Sequence, residues 1–154
     1  MAMTMKGDVT LPASKEVVWA ALNDPDVLKA CIPGCESLEK IGENTLQATA
    51  RVKVGPVAAA FKGKVNLLDL DPPNGYRIVG EGEGGVAGFA KGGATVNLQQ
   101  AGEGTKLSYE VEAQVGGKLA QLGARLIDGV AKKMADQFFA DFAAAVSSRA
   151  GGAA

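Results

Sequence analysis

The feature that most constrains the fold is a long stretch of alternating apolar and polar residues that gives way to a helical pattern. From Glu36 to Gly116 the period is two, which indicates strands with one buried face. The last of these strands is the clearest, with Leu107 and Tyr109 alternating with polar neighbours. After Gly116 the apolar residues recur at helical spacing, which predicts one amphipathic helix over residues 118–147.

The segment before this stretch predicts one further strand and two short helices. Residues 3–11 alternate with period two. Ser14 and Asp24 are suited to cap helices, and Pro25 is suited to a first helical position. A one-faced sheet and one amphipathic helix have only each other to bury against. We therefore expect an α+β helix-grip fold, in which a curved seven-stranded antiparallel sheet surrounds a long C-terminal helix, with two short helices after strand one.

Length and composition limit the classes of function. A chain of 154 residues fits one domain, which we place at residues 1–147, with a frayed tail at 148–154. The 16 Lys and Arg against 17 Asp and Glu lack the cationic excess that nucleic-acid binding requires. The absence of histidine removes Ser-His-Asp and Cys-His catalysis and histidine-ligated metals. Two cysteines, Cys31 and Cys35, form no Cys-x-x-Cys pair and have no further ligands nearby, so we expect them to be structural and expect no metal site.

The sequence also predicts where the protein resides. Its start carries no secretion signal, and no apolar run is long enough to span a membrane. We expect a cytoplasmic protein, with peripheral attachment to the inner face of the cell membrane left open. On the outer face of one hairpin, four cations suit an anionic membrane or an acidic partner, although Glu81 and Glu83 on the next strand are placed to compensate them. These cations are Arg51, Lys53, Lys62 and Lys64.

The inward positions of the middle strands carry unusually small side chains. They are Ala48, Ala50, Ala59, Gly80, Gly82, Ala90, Gly92 and Ala94. On the predicted helix, Gly123 falls in the same sector as Leu119 and Leu126. This lack of bulk predicts an internal apolar cavity for a hydrophobic ligand, while the alternative is that helix and sheet simply approach closely. Tyr76 and Tyr109 are the polar handles that the cavity offers a ligand.

The residues expected to line this cavity come from the second short helix, the middle strands and the final helix. No ionisable residue alternates onto the inner surface, so we expect no catalytic acid or base there. The glycine-rich segment 82–88 is expected to form a flexible hairpin at the cavity mouth. The predicted lining residues are Leu28, Ile32, Phe61, Tyr76, Ile78, Gly92, Tyr109, Leu119, Leu122, Gly123, Leu126, Ile127, Val130 and Met134.

Several segments together resemble the carbon monoxide dehydrogenase G-subunit (CoxG) family. They are CIPGCESL at 31–38, VKVGPV at 52–57, FKGKV at 61–65, VAGFAKG at 86–92 and GGKLAQLGARLIDGV at 116–130. The resemblance covers nearly the whole chain and implies the START-like (SRPBCC) superfamily, whose helix-grip fold contains a deep hydrophobic pocket. It further implies a non-catalytic accessory factor for carbon monoxide dehydrogenase or a related molybdenum hydroxylase. Such a factor binds an isoprenoid quinone or similar lipid and links the enzyme to the membrane.

Three functional hypotheses follow. The first is a non-enzymatic binder of a lipophilic molecule, with an isoprenoid quinone as the named candidate and no covalent cofactor. The second is an enzyme on the same fold, a cyclase or hydrolase, which needs an acid-base pair in the pocket. The third is an assembly or membrane-docking factor with a filled core and no ligand.

Overall fold

The computed structural model describes residues 2–152, with side chains up to residue 148, and contains the expected seven-stranded antiparallel sheet. The strands lie in the order β1-β7-β6-β5-β4-β3-β2, so that β1 and β2 form the two edges. This arrangement confirms the predicted helix-grip architecture. The strands are β1 Ala2–Leu11, β2 Cys35–Gly42, β3 Thr45–Val54, β4 Val57–Asp71, β5 Gly75–Glu83, β6 Phe89–Ala101 and β7 Gly104–Gly116.

Two short helices follow β1, as the sequence predicts, and both begin at the expected caps. They are α1, Lys15–Leu22, and α2, Pro25–Cys31. The Ser14 side chain accepts a hydrogen bond from the backbone N–H of Val17 at 3.3 Å. Asp24 accepts one from the N–H of Asp26 at 3.0 Å, with Pro25 in the first turn of α2. Each cap satisfies a helix N–H that has no partner within the helix.

The C-terminal helix differs from the single helix predicted over residues 118–147. A short helix α3, Lys118–Gln121, is followed by a break, and the long helix α4 runs over Ala124–Gly152. Gly123 lies at the break with φ of 91°, which ends α3 because L-residues with side chains rarely adopt this conformation. The predicted frayed tail at 148–154 is helical as far as Gly152, and its last two residues lie outside those that the structure describes.

The strand register confirms which face of the sheet each side chain occupies. Ala48 pairs with Gly63, Gly63 with Gly82, and Gly82 with Ala90, so these residues share the concave face that α4 covers. On the convex face, Lys62 lies opposite Glu83, and Lys64 lies opposite Glu81. These cations and carboxylates, which were expected to compensate each other, therefore lie directly opposite one another on neighbouring strands.

Two separate clusters of buried side chains join the helices to the concave face. The first lies at the end where α1, α2 and the C-terminal half of α4 meet the sheet, and includes Leu11, Val18, Leu107, Phe142 and Val146. The second lies at the opposite end, where β3, β7, α3 and the start of α4 meet, and contains Val54, Val115, Leu119 and Ile127. The concave face between these clusters is the part of the fold that concerns function.

Candidate ligand-binding site

The middle of the concave face carries apolar side chains that are only partly buried. They belong to five neighbouring strands, and are Met5 on β1, Val65 on β4, Ile78 on β5, Ala94 on β6 and Val111 on β7. Side chains in the centre of a sheet that packs closely on a helix are normally buried. Solvent therefore reaches the concave face between the two clusters, and we call this space the central chamber.

Helix α4 shows the same gap between the two clusters. Val130 packs against the second cluster and Phe138 against the first. Met134 lies one turn from each, is half-buried, and belongs to neither cluster. The predicted residue Met134 is therefore placed on the part of α4 that spans the central chamber.

The predicted residues of α2 lie to one side of this helix. Leu28 is in α2 and Ile32 caps its end, and both are half-buried. Helix α2 packs on both α4 and β2. Both residues therefore lie beside α4, and their contact with a ligand stays a prediction.

The chemistry of the central chamber is almost entirely apolar. The register assigns two middle rows of concave-face residues on β1 and β3–β7, and none of them is ionisable. These rows are Leu46, Val65, Gly80, Gly92, Ala113 and Met3, and Leu67, Ile78, Ala94, Val111 and Met5. These rows favour a lipophilic ligand and themselves supply no carboxylate or amine for acid-base chemistry, whereas Asp128, Lys132 and Asp136 line the groove beside Met3 and Met5.

Tyr76 brings one polar group to the first-cluster end of the concave face. Its ring packs edge-on against Trp19, with the ring centroids 5.3 Å apart. The residue is only 5% exposed, and burial raises the pKa of its phenol well above the usual value. Within the described part of the chain, the Tyr76 hydroxyl makes no hydrogen bond. Every completely buried polar side-chain atom there has a hydrogen-bond partner, so the Tyr76 hydroxyl is not completely buried. The Tyr76 hydroxyl is thus protonated, in contact with solvent and free to donate to a ligand.

Tyr109 brings a second hydroxyl to the opening between β1 and α4. Its ring stacks on Phe139 with centroids 5.1 Å apart, and its hydroxyl lies over Gly7. Burial, followed by the charges of Asp136 and Asp8, raises the pKa of Tyr109. A groove of about 260 Å³ opens here, lined by Met3, Met5 and Tyr109 together with polar side chains. The two predicted tyrosines therefore lie in different settings, one inside the fold and one at its edge.

Five other predicted lining residues gather at the far end of the central chamber. Leu119 and Ile127 are buried in the second cluster, and the remaining three pack against it. Those three are Phe61, Leu122 and Val130. They close one end of the space and separate it from the surface.

Gly123 and Leu126 are placed differently from the sequence interpretation. Gly123 is exposed, lies between two helices, and has no neighbour within 4 Å of the position that a Cβ would occupy. Leu126 is 37% exposed and contacts the turn at Gly55. Because the helix breaks at Gly123, the helical-sector argument that placed both residues inward with Leu119 is wrong.

Gly92 lies on the concave face, but its small size has another cause. A Cβ at this position would overlap the carbonyl oxygen of Glu112 and lie 2.7 Å from the Cα of Ala113. Glycine is therefore required by the close approach of β6 and β7. At Gly82, by contrast, the nearest atom to a Cβ would be the Lys62 carbonyl oxygen at 3.7 Å, an ordinary contact.

Several chamber residues were not among the lining residues predicted from the sequence. Met5, Val65, Val111 and Ala113 all lie on the middle rows. The period-two alternation that placed the alanines inward also places these four inward. The period-two pattern alone was therefore sufficient to identify these four residues as inward-facing.

A larger depression of about 830 Å³ lies on the convex face and has a different character. Its lining includes Lys64, Arg77, Lys91 and Glu112, and Arg77 forms an ion pair with Glu112. Charged walls that are open to solvent do not suit a lipophilic ligand. The central chamber is therefore the stronger candidate site.

Neither cysteine has the environment of a reactive thiol. Both are free, Cys31 is buried, and Cys35 donates a hydrogen bond to the carbonyl oxygen of Ser37 at 3.3 Å. Burial raises the pKa of Cys31, with Asp141 adding to the effect. Burial also raises the pKa of Cys35, against smaller opposing effects of the Ser37 backbone and of Lys29. Both groups are held as thiols, the less nucleophilic form.

Metal binding depends on clusters of ligating side chains, and membrane crossing by helices depends on long apolar segments. Among residues 2–148, no cluster of His, Cys, Asp and Glu side chains has the arrangement of a metal site. Among the described helices, none combines the length and the hydropathy needed to cross a membrane.

Comparison with known proteins identifies relatives in sequence and in fold. The model of the carbon monoxide dehydrogenase G-subunit (CoxG) family matches residues 7–147. A conserved protein from Geobacillus kaustophilus has 34% sequence identity and a TM-score of 0.89, with coverage of 95% of this chain and 96% of that one. Comparison with curated proteins gives no match.

More distant solved structures share the fold alone. A START superfamily protein from Mycobacterium smegmatis has 12% identity and a TM-score of 0.72, covering 94% of this chain and 97% of that one. The Zhui aromatase/cyclase from Streptomyces sp. R1128 has 14% identity and a TM-score of 0.70, covering 97% and 96%. The helix-grip fold is therefore that of START-like proteins.

Proposed function

The chain belongs to the carbon monoxide dehydrogenase G-subunit (CoxG) family. On this basis we propose that it is a non-enzymatic protein that binds a hydrophobic ligand in the central chamber. The family and the START-like fold both indicate hydrophobic ligand binding. The proposed ligand is an isoprenoid quinone or a similar lipid. The proposed role is that of an accessory factor linking a carbon monoxide dehydrogenase-type molybdenum hydroxylase to the quinone pool of the membrane.

The observation that carries the proposal is the solvent-accessible concave face between the two buried clusters, whose middle rows on the sheet carry no ionisable residue. Its walls are aliphatic side chains such as Val65, Ile78 and Val111, with Met134 on the helix opposite. An apolar molecule entering this space removes both its own surface and these walls from water, which favours binding. The protonated Tyr76 hydroxyl is suited to donate a hydrogen bond to a carbonyl oxygen of such a ligand.

The enzymatic alternative has one specific observation in its favour. Tyr109 lies at the edge of the fold within the influence of Asp136 and Asp8, and a related fold is that of an aromatase/cyclase. A cyclase or hydrolase requires a group that accepts and returns a proton at the reacting atoms. The raised pKa of Tyr109 keeps its phenol protonated, so it provides no base that could accept a proton, and we favour binding without catalysis.

Native mass spectrometry of the detergent-free protein, purified from a quinone-producing host, tests this proposal. We expect an added mass that organic extraction removes and that matches an isoprenoid quinone or lipid. Ala94→Leu adds bulk to the central chamber and is expected to abolish the added mass. The matched control Ala60→Leu adds the same bulk to an exposed position on β4 and is expected to retain it.

The outcomes separate the three hypotheses. A wild-type protein that is consistently free of ligand supports an assembly or docking factor and contradicts the proposal. Retention of the ligand by Ala94→Leu with an unchanged fold would place the ligand outside the chamber. Conversion of the extracted molecule to a product by the purified protein would establish an enzyme.

A further inference from the structure

Three sides of the central chamber are closed by packed elements. The first cluster closes one end and the second cluster closes the other. Helix α2 packs on both α4 and β2, and thereby covers the side next to β2. The fourth side lies between α4 and β1, the other edge strand of the sheet. Because no described strand pairs with the outer edge of β1, only α4 is placed to cover this side.

Strand β1 packs against the two clusters at separate points along its length. Met3 packs against the second cluster and Val9 against the first. Met5 lies between them, is half-buried, and belongs to neither cluster, as is true of Met134 on α4. The groove of about 260 Å³ opens at this interruption, and we call it the side cleft. Its lining residues are Met3, Thr4, Met5, Lys6, Tyr109, Asp128, Lys132 and Asp136.

The side cleft combines an apolar floor with a polar rim. Met3 and Met5 lie on the middle rows of the chamber and also line the cleft, so the apolar surface continues from one to the other. Methionine side chains are unbranched and flexible, and therefore adapt their shape to a passing molecule. The rim residues Asp128, Lys132 and Asp136 follow at intervals of four along α4, and all three are exposed. An apolar molecule can thus follow the floor while the charged rim stays in water.

The Tyr109 side chain spans the side cleft from helix to edge strand. Its ring stacks on Phe139 of α4, and its hydroxyl lies over Gly7 of β1. A Cβ at Gly7 would lie 2.7 Å from the hydroxyl oxygen, so glycine provides the room that the tyrosine occupies. Within the described residues this hydroxyl makes no hydrogen bond. The ring is therefore held by packing alone, and no hydrogen bond opposes its rotation out of the cleft.

We infer that the side cleft is the entrance through which a lipophilic ligand reaches the central chamber, and that the Tyr109 ring controls its width. The inference rests on the proposed function and deepens it by naming the route to the same site. This route crosses neither buried cluster, since it passes between them along β1. An entrance residue governs how fast the ligand enters and leaves, whereas the affinity depends only on the free and bound states.

A reversible cross-link across the side cleft tests the inference. Thr4 on β1 and Lys132 on α4 are exposed and line the same groove. In a chain carrying Cys31→Ala and Cys35→Ala, the pair Thr4→Cys and Lys132→Cys is joined by a bismaleimide whose linker contains a reducible disulfide. The matched control is the same variant with each thiol capped separately by N-ethylmaleimide. The readout is stopped-flow quenching of Trp19, the only tryptophan of the chain, by decylubiquinone.

We expect the cross-linked protein to take up decylubiquinone at least roughly tenfold more slowly than the capped control. Reduction of the linker is expected to restore the rate. Equal rates before and after reduction, in a protein that binds the quinone, would overturn the inference and leave the proposed function intact. A wild-type protein without saturable quenching would instead contradict the proposed function, and the inference with it.

Tyr109→Ala tests the entrance in an otherwise native chain. We expect the association and dissociation rates of decylubiquinone to rise together, each about fivefold, while the affinity changes less than about twofold. The matched control Phe89→Ala removes an aromatic ring that is 41% exposed at the start of β6, and is expected to leave both rates unchanged. A loss of affinity at an unchanged association rate would make Tyr109 a ligand contact and overturn its role in the entrance. An equal rise of both rates in Phe89→Ala would do the same.

Discussion

Two glycines on the concave face provide a matched test of how β5 and β6 pack. At Gly82, an added Cβ would meet only the Lys62 carbonyl oxygen at 3.7 Å and the Phe61 Cβ at 4.0 Å. At Gly92, the same Cβ would overlap the Glu112 carbonyl oxygen. We therefore predict that Gly82→Ala stabilises the protein by about 0.4–1 kcal/mol, through a smaller loss of chain entropy on folding. Gly92→Ala is predicted to destabilise it by about 1–3 kcal/mol, because two strands must move apart.

Thermal unfolding followed by circular dichroism measures both effects. For a domain of this size, 1 kcal/mol corresponds to roughly 2–4 °C in Tm. The Tm of Gly82→Ala is therefore expected to rise by about 1–4 °C, and that of Gly92→Ala to fall by about 2–12 °C. Chemical unfolding in urea provides the same comparison at constant temperature. A neutral Gly92→Ala, or a fall in Tm at Gly82→Ala as large as at Gly92→Ala, would refute the strand packing described above.

Three further substitutions test the buried tyrosine, a buried hydrogen bond and the helix break. Burial raises the pKa of Tyr76 in the folded protein, so the free energy of unfolding falls as the pH rises above about 10 towards the folded pKa. In urea unfolding at pH 8 and pH 11, the loss of this free energy should be smaller for Tyr76→Phe than for the wild type. Equal losses would contradict the assignment. Thr105 donates a buried hydrogen bond to the Ala13 carbonyl oxygen at 2.7 Å, so Thr105→Val should lower the free energy of unfolding by about 1–3 kcal/mol, and an unchanged value in urea unfolding would argue against this bond. Gly123→Ala should lower the free energy of unfolding by about 1–2 kcal/mol, because alanine rarely adopts a φ of 91°. If the helix were continuous at this position, thermal unfolding would instead show a gain in stability of about 1 kcal/mol.

Alternation in the sequence was sufficient to predict the sheet and the face on which each residue lies. A strand side chain has a period of two, so a single apolar face identifies the whole row. The register confirms this at Ala48, Gly82 and Ala90, and also at Lys62 opposite Glu83. The caps at Ser14 and Asp24 were predictable because they depend on local hydrogen bonds.

The break in the C-terminal helix was not predictable from spacing. Leu119, Leu122 and Leu126 keep a helical spacing across it, and glycine occurs within helices as well as after them. Only the backbone shows that Gly123 has a positive φ. The break moves Leu126 from the expected interior to the surface.

The cause of a small side chain was likewise hidden from the sequence. Glycine in a strand is compatible with an open space, a bend or a close approach of backbones. At Gly92 the backbone of the neighbouring strand leaves no room for a side chain, whereas at Gly82 there is room for one. Such a distinction depends on atoms from residues distant in sequence, and pattern alone does not contain them.

The central claim, that a lipophilic ligand occupies the central chamber, is tested most directly by methionine methyl NMR. Met5 lies on a middle row of the concave face, and Met134 is predicted to face it from α4. In protein labelled with ¹³C-methyl methionine, with signals assigned through Met5→Leu and Met134→Leu, titration with an isoprenoid quinone is predicted to shift both methyl signals together and to saturate. The Ala94→Leu variant is predicted to show neither shift. Unchanged signals from both methyl groups, under conditions where the quinone binds the protein, would contradict the account.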